Sequence, residues 1–159
     1  MAFDAFPERV QATHTGREPE VYARADGYIA VPLSLAGPRE GDAFELPGAG
    51  LVVRPAGPEE PDAAATAVYQ SEDGGLAVPT GRLFVQLAEG EQAAQRESDF
   101  NAAGFVVDQV PGYAPHAAWL SPRDGDPASG LRGIGALRAV AGVTAVEPEM
   151  LRPRMHRSP

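Results

Sequence analysis

The chain has 159 residues, 22 acidic side chains against 13 basic, a formal net charge of −9 and 43% hydrophobic residues. This is globular composition, and at this length about two-thirds of the unfolded surface can be buried, enough for one ordinary core. Cys and Lys are both absent, which excludes disulfides, thiolate catalysis, Cys-ligated metals, Schiff-base chemistry and a P-loop lysine.

The charge is uneven. Residues 1–76 carry 13 acidic and 5 basic side chains, whereas residues 77–159 carry 9 and 8. The last ten residues hold Arg152, Arg154 and Arg157 and no acid. An acidic chain lacks the basic face that phosphate contacts need, so no nucleic-acid partner is expected. No apolar run approaches the roughly 20 residues that span a bilayer, so no membrane partner is expected either. Met1-Ala2-Phe3-Asp4 has neither the charged nor the apolar region of a signal peptide. That fits a cytoplasmic protein and a fragment of a larger precursor equally, and leaves the compartment open.

Residues 1–20 mix Pro7, Gly16 and Pro19 with scattered charge and show no period, the pattern of a mobile arm. Residues 21–77 read as a β-hairpin-rich extension. Val21-Tyr22-Ala23 and Tyr28-Ile29-Ala30-Val31 flank Asp26-Gly27, a two-residue turn signal that predicts a hairpin. Leu51-Val52-Val53 is a short strand between Gly-Pro clusters, and Pro58-Glu-Glu-Pro61 reads as a linker. Residues Ala63 to Tyr69 fit a helical turn or a strand. The density of Gly and Pro confines these strands to edges and hairpins.

The pattern sharpens after Asp73-Gly74-Gly75. Arg82 to Leu87 alternates, with Leu83, Val85 and Leu87 on one face. A helix follows from Glu91, carrying Ala93, Phe100 and Ala103 on one stripe, with Gly104 as its C′ residue. Phe105 to Val110 and His116 to Leu120 are two further strands. Ser129 is the expected N-cap of a second helix whose core stripe is Leu131, Ile134, Leu137 and Val140. Gly133 and Gly135 inside it each cost roughly 1 kcal/mol relative to Ala, a cost that close approach of helix to sheet would offset. Val143 to Val146 is the last strand, stopped by Pro148.

The order strand, helix, strand, strand, helix, strand predicts an α+β fold, a ferredoxin-like βαββαβ sandwich over residues 78–149. Both helices would cover one face of an antiparallel sheet. The other face, with Phe84 and Trp119, would meet solvent, residues 21–70 or a partner. Residues 150–159 form an extended tail, since Pro153 disfavours helix at Arg152.

No catalytic constellation is visible, and the chain is not expected to be an enzyme. None of Ser34, Ser71, Ser98, Ser121, Ser129 and Ser158 lies in Gly-x-Ser-x-Gly. His14 falls in the arm, where a solvent-exposed side chain rather than a ligand is expected, and neither His116 in a strand nor His156 in the tail has an Asp or Ser partner at diagnostic spacing. Glu59-Glu60-Asp62 reads as a solvated linker rather than a metal site. Asp124-Gly-Asp126 resembles part of an EF-hand loop without its remaining acids. Gly130-x-x-Gly133-x-Gly135 has the wrong order and place for a dinucleotide fingerprint. No metal or cofactor is expected.

Four segments together resemble a known family: Pro79-Thr-Gly-Arg-Leu-Phe-Val-Gln-Leu, Gly104-Phe-Val-Val, Tyr113-Ala-Pro-His-Ala-Ala-Trp-Leu and Val143-Thr-Ala-Val-Glu-Pro-Glu. They are similar to the propeptides of subtilisin-like serine proteases, nearest to long prodomains of the fervidolysin type, over residues 78–155. The resemblance implies an inhibitor and folding chaperone of such a protease, acting within a precursor or in trans. It implies docking by the sheet face, with Phe84 and Trp119, on two protease helices. Glu147 and Glu149 would cap those helices' N-termini, which favour anions. Met150, Leu151, Arg152, Pro153, Arg154 and Met155 would lie in the substrate cleft as an added strand. The alternative is a ferredoxin-like interaction or assembly module with no protease partner.

Overall fold

A computed structural model describes residues 3–14, 16, 18–57 and 64–153. The protein is α+β: among the described residues, nine strands, all paired antiparallel, form an open sheet with a few short helices. The strands of the first half are β1 (Arg9–Ala12), β2 (Glu20–Pro32), β3 (Phe44–Leu46), β4 (Leu51–Pro55) and β5 (Thr66–Gln70), with the one-turn helix α1 (Leu33–Ala36) after β2. The second half contains β6 (Leu76–Leu87), α2 (Glu97–Ala102), β7 (Phe105–Gln109), β8 (Ala117–Pro122), α3 (Pro127–Arg132), α4 (Ile134–Arg138) and β9 (Val143–Leu151).

Asp26-Gly27 does not turn the chain. Neither residue has the positive φ that a tight hairpin turn requires, and β2 runs through them as one 13-residue strand. Tertiary pairing overrides the local signal. β1 takes residues 20–23 and β4 residues 28–32 of one edge, while β5 pairs along the other with a register shift between Arg24 and Ile29. Arg24 fills that irregularity by donating to Asp26 and to the carbonyls of Phe3 and Phe6. Residues Thr66–Gln70 are strand, which decides the ambiguous segment as far as it is described. The aperiodic residues 1–20 also contain a strand, β1, whose Val10 and Ala12 are buried. The linker at 58–61 lies outside the described residues.

β6 joins the two halves. Its first residues pair with β5, and Leu83 to Gln86 pair with β8 along the same edge. Its other edge pairs with β9, and β8 pairs with β7, so the second half has the spatial order β9-β6-β8-β7. At Gly81 the strand kinks with φ +88°. There the side chain of Thr80 accepts from Arg82 N at 3.1 Å, replacing a ladder bond.

Helices cover the face of Leu83, Val85 and Leu87. Phe100, Leu131, Ile134 and Leu137 pack there with Phe105, Leu120 and Val146. The same apolar cluster takes in Phe6, Val10, Tyr22 and Tyr69, so it crosses between the two halves. A second cluster, around Val53, Val68 and Val78, lies under the N-terminal strands.

Three local expectations need correction. The second helix is capped by Asp126, which accepts from Ala128 N with Pro127 at the first helical position; Ser129 sits inside α3 and bonds Asp124. Close approach of helix to sheet occurs at Gly130 and Gly133, whereas a Cβ on Gly135 would meet open space. β9 continues through Pro148 to Leu151. Val146 turns its backbone N–H and carbonyl away from β6, toward Thr13. Pro148, two residues on, therefore directs its missing N–H to the same outer edge, where no ladder bond is lost.

Candidate docking surface

Strand alternation sends Arg82, Phe84 and Gln86 to the face opposite the helices. Phe84 stands directly across from Trp119, with ring centroids 4.8 Å apart and planes inclined by 52°. Arg82 lies over the Trp119 ring, its guanidinium carbon 4.6 Å from the centroid. Two carboxylates hold Arg82 there: Asp108 at 3.1 Å and Glu149 at 3.8 Å. Asp108 also accepts from Ser121, and Glu149 accepts from Thr80 at 2.9 Å. The surface is thus an aromatic pair flanked by ion pairs whose charged groups remain about one-third exposed. Such ion pairs contribute about 0–1 kcal/mol each, so their effect lies in orientation more than in stability.

Phe84 and Trp119 are both partly exposed, and neither belongs to the two apolar clusters. Glu147 stands across β6 from Phe84. Its Oε1 lies 2.7 Å from Nδ1 of His14, whose Nε2 is 3.8 Å from Glu20. His14 is brought there because Thr13 bonds the outer edge of β9, donating N–H to the Val146 carbonyl at 2.9 Å and accepting from Val146 N at 2.8 Å. The expected exposed histidine of the arm is 12% exposed and faces two carboxylates.

The expected tail divides. Met150 and Leu151 belong to β9 and pair with Pro79 and Val78. Arg152 donates to the Tyr22 hydroxyl at 2.6 Å and lies 3.6 Å from Glu20. Leu151, Arg152 and Pro153 form one wall of a groove of about 750 Å³, with residues 45–49 opposite. Arg154 and Met155 lie outside the described residues. The sequence-based set therefore falls in two places: Phe84, Trp119, Glu147 and Glu149 on the open face, and Met150 to Pro153 beside the N-terminal strands.

Arg82 shares the period-two pattern that exposes Phe84, so sequence could have flagged it. His14, Thr13, Glu20 and Tyr22 carry no such signal, because their partners lie about 130 residues away.

Ser71, Ser121 and Ser129 each donate to an aspartate. Among the described residues, no group of three or more His, Asp or Glu side chains could hold a metal ion, and no helix is long and apolar enough to cross a membrane. Fold and surface together define an α+β protein with an open, strand-rich sheet, on whose helix-free face Phe84 and Trp119 are partly exposed. No protein-family model, curated protein or solved structure matches the chain.

Proposed function

We propose that the chain is a propeptide-like inhibitor and folding chaperone of a subtilisin-like serine protease, acting by binding rather than by catalysis. Its second half would be a ferredoxin-like βαββαβ unit that docks by the Phe84–Trp119 face and sends the residues beyond β9 into the substrate cleft. The observation that carries this reading is the helix-free face, where a partly exposed aromatic pair is bordered by Glu147 and Glu149. The antiparallel order β9-β6-β8-β7, with the helices on the opposite side, supports it. So does the pre-set geometry of the polar groups, since docking groups that are already held lose less entropy on binding.

One observation favours the second reading, an interaction module without a protease partner. Arg152 is engaged by Tyr22 and Glu20, which keeps the root of the tail on the protein. A direct test adds the full chain to a panel of subtilisin-like proteases and measures peptide hydrolysis. The protease reading requires inhibition that weakens when residues 154–159 are deleted and when Trp119 is replaced by Ala. Absence of inhibition across the panel would leave the second reading in place.

A further inference from the structure

We propose that Tyr22 and Glu20 are positioning residues that anchor the root of the C-terminal segment through Arg152 and hold residues 151–153 against the N-terminal strands. The inference rests on the protease reading only for what the segment then does.

Three contacts converge on one guanidinium. Arg152 Nη2 donates to the Tyr22 hydroxyl at 2.6 Å, the guanidinium carbon lies 5.5 Å from the Tyr22 ring centroid, and Glu20 Oε1 is 3.6 Å away. A hydrogen bond from a charged donor is about twice as strong as a neutral one, and ring proximity adds a cation–π attraction. Tyr22 is a firm support: its side chain is 6% exposed, within the first apolar cluster. Burial raises its hydroxyl pKa above the ordinary tyrosine value, so the group stays neutral.

The backbone adds to the anchor. Leu151 is still paired with Val78, which fixes the chain immediately before Arg152. Pro153 immediately after it locks its own φ and keeps Arg152 extended. With both neighbours constrained and the side chain held, little freedom remains at this point. The anchor also gives the N-terminal strands a role: β2 supplies both partners. Glu20 is shared with His14, which faces Glu147, so a chain of polar contacts connects Arg152 to the open sheet face.

The test uses the full chain and reads amide hydrogen exchange at Met150–Arg152 in Tyr22→Phe, which removes only the hydroxyl, and in Glu20→Gln. Exchange is expected to quicken about tenfold in Tyr22→Phe, the weight of one charge-assisted hydrogen bond. In an Arg152→Gln background the same substitution should add nothing further, a coupling that a general loosening of the core would not produce. Unchanged exchange in Tyr22→Phe, or full additivity with Arg152→Gln, overturns the anchor. In a protease that the wild-type chain inhibits, Tyr22→Phe should weaken inhibition while the melting temperature stays near wild type. Should the wild type inhibit none while exchange still responds to Tyr22→Phe, the anchor stands and the protease reading falls.

Discussion

Gly130 of α3 rests directly on Gly81 of β6. A Cβ built on Gly130 would come within 2.7 Å of Gly81 Cα, and one built on Gly81 within 2.7 Å of Pro127 Cα. Backbone thus meets backbone at the point where β6 kinks. This contact brings the start of α3 close enough for Leu131 and Ile134 to join the apolar face of the sheet. It also leaves the opposite face of β6, from Arg82 onward, free of helices.

Gly130→Ala should therefore destabilise the fold by about 3 kcal/mol, the upper range for forcing extra volume into a packed contact. Flexible side chains cannot absorb the clash, because the obstructing atoms are backbone. Gly135→Ala, only five residues on, should do the opposite. A Cβ there meets nothing within 4 Å, and Ala is better than Gly in a helix by roughly 0.5–1 kcal/mol. Urea unfolding of both variants checks the pair. Two substitutions of one kind should move the midpoint in opposite directions, and a shared direction would mean that the helix does not lie on Gly81 in this way.

The turn between β5 and β6 should respond to acid. Ser71 donates to the Asp73 carboxylate, Gly75 N–H does so at 3.0 Å, and the two hold Asp73 below the ordinary aspartate value. Since the folded pKa is the lower one, the stabilisation is fully present above the usual aspartate range. It is lost as pH falls below that range and through the depressed value. Carboxyl-carbon NMR should find Asp73 titrating late on acidification, and Ser71→Ala should raise its midpoint. Because the Gly75 N–H remains, the midpoint should stop short of an unperturbed carboxylate. Identical titrations in the two proteins would remove Ser71 as the main cause.

Legibility in sequence followed the range of each interaction. Arg82 to Leu87 is readable because a half-buried strand imposes period two, and Leu83, Val85 and Leu87 are all at most 2% exposed. The stripe of Leu131, Ile134 and Leu137 is readable for the same local reason and is buried. Asp26-Gly27 misleads because three other strands hold β2 straight, and none of them is adjacent to the turn signal in sequence. Pro148 misleads because a proline breaks only a ladder that needs its N–H, and which edge of β9 is paired is a tertiary fact. On the open sheet face, Phe84 and Trp119 follow from alternation. The clamps on Glu147 and Arg152 do not, since His14 and Tyr22 reach them across nearly the whole chain.

Two phenylalanines on opposite sides of one sheet should separate stability from binding. Phe100 is 0% exposed against the helix-covered face, so Phe100→Ala should cost about 3–5 kcal/mol, the range for deleting a buried aromatic side chain. Phe84 stands on the open face, partly exposed and beside the Trp119 ring. Phe84→Ala should cost about 1–2 kcal/mol, because only part of its surface leaves water on folding. Its effect on a partner should be larger. Aromatic residues at the centre of an interface are commonly worth 2 kcal/mol or more, so protease inhibition should weaken by about thirtyfold or more. Trp119, the chain's single tryptophan, reports the same surface through acrylamide quenching, which should increase in Phe84→Ala as the neighbouring ring is lost. Urea midpoints, quenching and inhibition measured on these two variants leave a clear test. If Phe84→Ala inhibits as well as the wild type while quenching of Trp119 rises, the aromatic pair is ordered surface and the protease docks elsewhere.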